Sequence, residues 1–376
     1  MKELACYIHV PFCKHKCIYC DFYSVIKFQN VDKYIESLKI EIEHYANQFS
    51  KTHKIKTIFW GGGTPSILEP KIINEILMIL NDKFRVSKNA EITLEANPGT
   101  LNFNKLQELK SAGINRLSVG VQSFNDKDLE YLTRIHKSKE AYEIINKAQE
   151  AGINNISLDL IFNLPKQTKK KWLKNLDIAT SLPINHISCY SLIVEPGTIL
   201  NKQILDGKVK LNDEDYDADL YQITIDYLNK KGFEQYEVSN FAKKGYRSQH
   251  NLFYWEYKDY LGLGPSAHSL VNGVRWSNYT SLSYYLEAIK NNNNAQMSIE
   301  TLSTKQKLEE FIIMGLRATG IDSKKLKLIV PNWIDENNST LSFLEQKGYI
   351  IITDDRIKLT SLGYPICDEI LLNLNY

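Results

Sequence analysis

The chain has no long apolar run. No stretch approaches the roughly 18 uncharged residues that a membrane-spanning helix requires, so peripheral contact with a bilayer is the most that is expected. It also lacks an excess of one charge. Lys and Arg number 46 against 44 Asp and Glu, a formal net charge of +2, which provides no global field for steering toward nucleic acid. Lys169 to Lys171 reads as a solvated helix face. A disulfide framework is missing too: of six cysteines, three crowd into one loop and Cys6, Cys189 and Cys367 are scattered. A reducing compartment is therefore expected. Met1 to Ala5 has no leader-like pattern, and the expected location is the cytoplasm. There are no internal repeats beyond β/α units, and the one low-complexity tract, Asn291 to Asn294, reads as an exposed turn.

At 376 residues and 43% hydrophobic, the chain can bury a large core, as two domains or as one barrel with an appendage. Short apolar runs alternate with longer amphipathic stretches. The runs Ala5 to Val10, Ile55 to Trp60, Glu91 to Ala96, Arg116 to Val121, Ile156 to Phe162 and His186 to Leu192 predict strands. Helices are predicted over Val31 to Phe49, Pro70 to Phe84, Asn102 to Ser111, Ser138 to Ala151 and Thr168 to Ser181. Strands joined by helices imply a parallel sheet with right-handed crossovers, and six of them favour an α/β fold built as a partial (β/α)6 barrel over residues 1–235. Residues 236–300 are aromatic-rich and irregular, and read as an extension covering one end of the barrel. Residues 301–376 read as a mostly helical domain ending in a hairpin, similar to a winged helix; without a basic surface it is a docking module rather than a DNA reader.

The unusual residues fall at the C-terminal ends of the predicted strands, where such barrels place their chemistry. After the first strand comes Cys13-Lys14-His15-Lys16-Cys17-Ile18-Tyr19-Cys20. Three thiolates this close can hold three corners of an iron-sulfur cube and leave the fourth iron open to a small molecule. Structural zinc, with His15 completing a Cys3His set, is the first alternative, although its ligands usually come as two separated pairs; buried or redox thiols are the second. After the second strand, Gly61-Gly62-Gly63-Thr64-Pro65 offers main-chain amides that a ligand can approach closely. Glu95 and Asp159 are suited to an amino group or a ribose. Arg134 can pair with a carboxylate, or lie on the surface as arginines often do.

The spacing Cys-x3-Cys-x2-Cys, the Gly-Gly-Gly-Thr-Pro run and the partial barrel resemble the radical S-adenosylmethionine (SAM) superfamily. There the open iron of a [4Fe-4S] cluster binds the amino and carboxylate groups of SAM. Within it, Tyr7-Ile8-His9-Val10-Pro11-Phe12-Cys13 and Gly120-Val121-Gln122-Ser123-Phe124 resemble the anaerobic coproporphyrinogen III oxidase family. The resemblance implies cluster ligation by Cys13, Cys17 and Cys20, and SAM contacts from Tyr7, Tyr19, Gly62, Gly63, Thr64, Glu95, Gln122, Arg134 and Asp159. The oxidases carry a further cysteine two residues past the triad and a long segment before it. Here Phe22 holds that place, and 12 residues precede Cys13. Cys20-Asp21-Phe22-Tyr23-Ser24 and His250-Asn251-Leu252-Phe253-Tyr254-Trp255 resemble the HemW branch instead, whose members are heme chaperones.

The resemblance implies a protein that binds heme and passes it to an acceptor protein, which the sequence does not name. Heme needs an axial donor and flat apolar surface. His250 beside Phe253, Tyr254 and Trp255 supplies both, although the same residues also suit plain packing. His9 and His268 are read as structural. Two other functions remain open: a radical enzyme that decarboxylates porphyrinogen propionates, which would need an electron donor to cleave SAM, and an electron-transfer or scaffold protein using the cluster alone.

Overall fold

The computed structural model describes residues 1–375. All six expected strands form: β1 (Lys2–Val10), β2 (His53–Gly62), β3 (Arg85–Ala96), β4 (Arg116–Gln122), β5 (Asn155–Phe162) and β6 (His186–Ser191). They pair in sequence order, every pair parallel. The crossovers are α1 (Val31–Phe49), α2 (Pro70–Lys83), α3 (Phe103–Ser111), the unanticipated α4 (Asp126–Tyr131), α5 (Ser138–Glu150) and α6 (Lys169–Ser181). Local chemistry sets their starts. Pro70 opens α2, and the side chains of Asn102 and Thr168 accept from Lys105 N and Lys171 N at the first turns of α3 and α6. Helices on the outer face bury the sheet, so Ile8, Trp60, Leu94, Val119, Leu158 and Ile187 are sealed in one core.

The rest of the chain mostly lengthens this sheet, a correction to the cover expected over 236–300. After α7 (Ile199–Leu205) and α8 (Glu214–Lys230), β7 (Glu234–Gln235) and β8 (Asn240–Ala242) continue it antiparallel beyond β6. Helix α9 (Gln249–Trp255) then packs on β2. Beyond β1 lie β9 (Tyr260–Leu263), parallel to it, and the antiparallel β10 (His268–Val271) and β11 (Val274–Asn278). Helix α10 (Leu282–Asn292) precedes the last strand, β12 (Gln296–Thr301), which completes twelve strands. These additions are two to six residues long, too short to show an alternation of their own.

From α11 (Thr304–Leu316) onward a second core forms around Leu308, Phe311, Ile312, Leu341 and Ile357. It carries a three-stranded antiparallel sheet, β13 (Ile321–Asp322) beside β15 (Arg356–Leu359) beside β14 (Ile350–Ile352). The predicted hairpin is β14–β15; β13, two residues long, gave no signal.

Candidate functional site

A cavity of about 470 Å3 opens at the C-terminal ends of the parallel strands. Among its lining residues are Tyr19, Cys20, Gly62, Gly63, Thr64, Glu95, Gln122, Arg134 and Asp159. Six separate stretches of chain thus bring the expected side chains to one rim. Cys13, Cys17 and Tyr7 lie just behind that lining.

The cysteine loop is fixed by its main chain. Cys13 N donates to Val25 O at 3.0 Å, Val25 N to Pro11 O at 2.7 Å, and Cys20 N to Cys17 O at 3.2 Å. Cys13 Sγ lies 3.4 Å from Thr64 Oγ1, and Cys17 Sγ accepts from Arg134 Nη1 at 3.6 Å. None of the three sulfurs is in a disulfide. The Cys20 thiol is pushed up to about 11, first by burial and then, in part, by the sulfurs of Cys17 and Cys13. A bound cation would reverse that shift. His15 does not join the sulfurs, since its Nε2 meets Thr133 Oγ1 at 3.1 Å. Among the described residues no three His, Cys, Asp or Glu gather tightly enough for a single metal ion. The Cys3His zinc alternative therefore has no counterpart, whereas a four-iron cube takes its thiolates from a wider circle. The donor set fits the cluster.

The glycine run does something other than expected. Its amides are already engaged: Gly62 N donates to Glu95 Oε2 at 3.2 Å, Gly63 N to Val10 O at 2.8 Å and Thr64 N to Phe12 O at 2.8 Å. These bonds clamp β2 to the root of the cysteine loop. The approach demands glycine, because a Cβ on Gly63 would sit 2.7 Å from Phe12 O, and Gly62 has φ +102° with the His9 ring in the way.

Charge is distributed across the cavity in a way that suits a zwitterion. On one side, Ser118 Oγ donates to Asp159 Oδ1 at 3.2 Å. Burial, and secondarily Asp159, pushes Glu95 up to about 8; Asp159 is raised as well, again by burial. A cation arriving beside them would favour their charged forms. On the other side Arg134 is anchored by Nη2 to Gly120 O at 2.7 Å, while its buried Nε has no partner among the described residues. A buried guanidinium left partly unsatisfied is suited to an incoming carboxylate. Gln122 sits between them with φ +66°, at a break in the β4–β5 register.

The chain matches the Radical SAM superfamily model over residues 7–179 and the HemN C-terminal domain model over residues 302–366. It is 38% identical to the heme chaperone HemW of Bacillus subtilis (strain 168), covering 97% of this chain and 97% of that one. The heme chaperone HemW of Lactococcus lactis subsp. lactis (strain IL1403) is 36% identical, over 98% and 96%. The chain belongs to the HemW family of radical SAM proteins. Among solved structures, the coproporphyrinogen III oxidase HemN of Escherichia coli, described as a radical SAM enzyme, superposes with a TM-score of 0.85 at 25% identity, over 99% of this chain and 90% of that one.

Besides Cys13 and Cys17, two expected residues of this HemW-family chain do not line the cavity. The Tyr7 hydroxyl donates to His9 Nδ1 at 3.1 Å, and its ring stacks on Phe59 beneath the glycine run. His250, on α9, is 1% exposed. Its Nδ1 meets Thr57 Oγ1 at 2.8 Å and its Nε2 meets Tyr254 OH at 3.0 Å, so neither nitrogen is free. Its ring stacks on Phe59, and burial lowers its pKa to about 3. This is the packing arrangement, and it leaves His250 without an open coordination position. His9 is structural, as expected: its Nε2 donates to Tyr23 O at 2.9 Å. The sequence reading missed Ser118, Thr133 and Arg116. Arg116 lies on β4 two residues before Ser118, is 2% exposed, and has a buried Nε without a partner among the described residues. Only the inward register of β4, which alternation alone leaves undecided, would have revealed it.

Proposed function

We propose that the protein is a heme chaperone that binds heme and hands it to an acceptor protein, with a [4Fe-4S] cluster on Cys13, Cys17 and Cys20 and SAM in the adjoining cavity. The observation that carries this reading is the end-to-end likeness to relatives named heme chaperones, at 36% and 38% identity. Phe22 supports it: it stands at the cavity mouth where the oxidases have their further cysteine. The cluster, when bound, offers SAM an iron with an open site. The chain's own residues do the rest: Arg134 faces the SAM carboxylate, Glu95 and Asp159 take the cationic and hydroxyl-bearing groups, and Gln122 and Tyr19 close the sides. No helix is long and apolar enough to cross a membrane among the described residues. The acceptor meets the protein at its surface, and we place that exchange in the cytoplasm. An electron donor is needed only if SAM is cleaved.

The second reading, a porphyrinogen-decarboxylating enzyme, is favoured by the HemN likeness alone. One experiment separates the two. Anaerobically reconstituted protein is given hemin in one vessel, and coproporphyrinogen III with SAM and a reductant in another. The chaperone reading expects a shifted Soret band in the first and no decarboxylated product in the second. Sustained conversion to protoporphyrinogen would overturn it.

A further inference from the structure

Helix α4 ends in a strained cap. Thr133 N donates to Glu130 O at 3.0 Å and Arg134 N to Leu129 O at 2.9 Å, the two closing bonds of a Schellman turn. Such a turn needs one left-handed residue, ordinarily glycine, and Thr133 fills that place at φ +55°. A β-branched residue is an outlier there, whereas glycine would close the turn without strain. Strain of this kind gathers where a side chain has a task. Thr133 Oγ1 accepts from Ile18 N at 3.2 Å and meets His15 Nε2 at 3.1 Å, and its carbonyl oxygen lies 4.0 Å from Cys17 Sγ. The helix end thus grips the cysteine loop from outside.

The next residue uses each part of its guanidinium differently. Arg134 Nη2 donates to Gly120 O at 2.7 Å, Nη1 reaches Cys17 Sγ at 3.6 Å and Tyr19 OH at 3.5 Å, and the buried Nε has no partner among the described residues. The nitrogen that meets the sulfur is therefore not the one left open to an incoming carboxylate. We infer that the cap of α4 is a positioning device for the iron-sulfur cluster: Thr133 holds the loop in its binding shape, and Arg134, through Cys17 Sγ, raises the cluster's reduction potential. The inference rests on the cluster assignment above. Reduction adds negative charge that the ligand sulfurs share, and a charged N–H donor on one of them stabilises it. Hydrogen bonds to the sulfurs are among the means by which a protein sets such a potential.

The test is a dithionite titration of the full, reconstituted chain, anaerobic and without SAM, followed by electron paramagnetic resonance. Leaving SAM out removes any effect through its carboxylate. One electron passes from dithionite to the cluster, and no covalent bond forms or breaks. Arg134→Gln should make reduction about tenfold less favourable, a fall of about 59 mV in midpoint potential, while iron and sulfide per chain stay at the wild-type level. Should Arg134→Gln not fold, Arg134→Lys carries the measurement, with a smaller fall expected. Thr133→Gly relaxes the left-handed backbone but removes the grip, so it should lose iron to a chelator several-fold faster than wild type. A potential equal to wild type in the arginine variant overturns the tuning, and iron held by Thr133→Gly as long as by wild type overturns the grip. A wild-type chain that takes up no [4Fe-4S] cluster overturns the cluster assignment itself.

Discussion

Arg116 is a guanidinium buried in the barrel whose Nε has no hydrogen-bond partner among the described residues. Burial sets the shifts of the groups around it; against burial its field favours the charged forms of Glu95 and Asp159, and together with burial it keeps His186 and His250 neutral. Two buried carboxyls near one another resist ionising together. We therefore expect Arg116→Gln to weaken SAM binding about tenfold at neutral pH, equivalent to about 1.4 kcal/mol or one pKa unit. The loss should shrink as pH rises, because alkali restores the carboxylates, and Arg116→Lys should recover part of it. Calorimetric titration across pH 6 to 9 checks this, and a pH-independent loss would show that Arg116 acts only through packing. Glu95 and Asp159 were legible in the sequence because one closes an apolar strand and the other is an isolated carboxylate within one, on strands of the barrel. Arg116 was not, because an arginine opening a strand reads as its solvated flank. Arg134 was ambiguous for a related reason: α4, which carries the chain into the rim, is only six residues long and has no readable period.

At the scale of elements, the glycine run shows how a turn signal can be legible and its use hidden. Its place after β2 was apparent from composition. That the amides of Gly62, Gly63 and Thr64 bind Glu95, Val10 O and Phe12 O depends on β1 and β2 being neighbours in parallel register. The run is a clasp that sets the cysteine loop against the strand ends. Gly63→Ala would drive a Cβ to 2.7 Å and 2.8 Å from the carbonyl oxygens of Phe12 and Val10, and main-chain atoms cannot move aside as a flexible side-chain end can. The expected cost is on the order of 1–3 kcal/mol, spent where the loop is anchored. Bound iron and sulfide per chain should fall together with the melting temperature, while the far-ultraviolet spectrum stays that of the barrel. Full cluster occupancy in this variant would show that the clasp is dispensable. The short strands β7 to β12 stayed illegible because a few residues cannot establish a period of two, and only neighbours distant in sequence give them partners.

For the whole molecule, the buried polar groups set how stability depends on pH, and two sets oppose each other. Burial raises Glu41 to about 7 and Glu95 and Glu237 to about 8, above their unfolded values near 4.5. The folded state then binds more protons than the unfolded one, so their contribution is full below about pH 4.5 and is lost as pH rises toward 8. Burial lowers His9 and His136 to about 4 and His250 to about 3, from 6.5. Their contribution is full above 6.5 and is lost as pH falls toward those values. Between about pH 4.5 and 6.5 the two slopes offset each other; above 6.5 only the carboxyls still titrate. The melting temperature of the cluster-loaded protein without SAM should therefore hold a plateau near pH 5 to 6.5 and decline toward pH 8. Saturating SAM should raise it throughout by mass action. It should also flatten the alkaline decline, because a cation beside Glu95 lowers the folded-state pKa of that carboxyl and removes one source of the slope. A decline of equal steepness with and without SAM would mean that Glu95 does not meet the cationic part of the ligand, and that the charge at this rim serves the barrel rather than its guest.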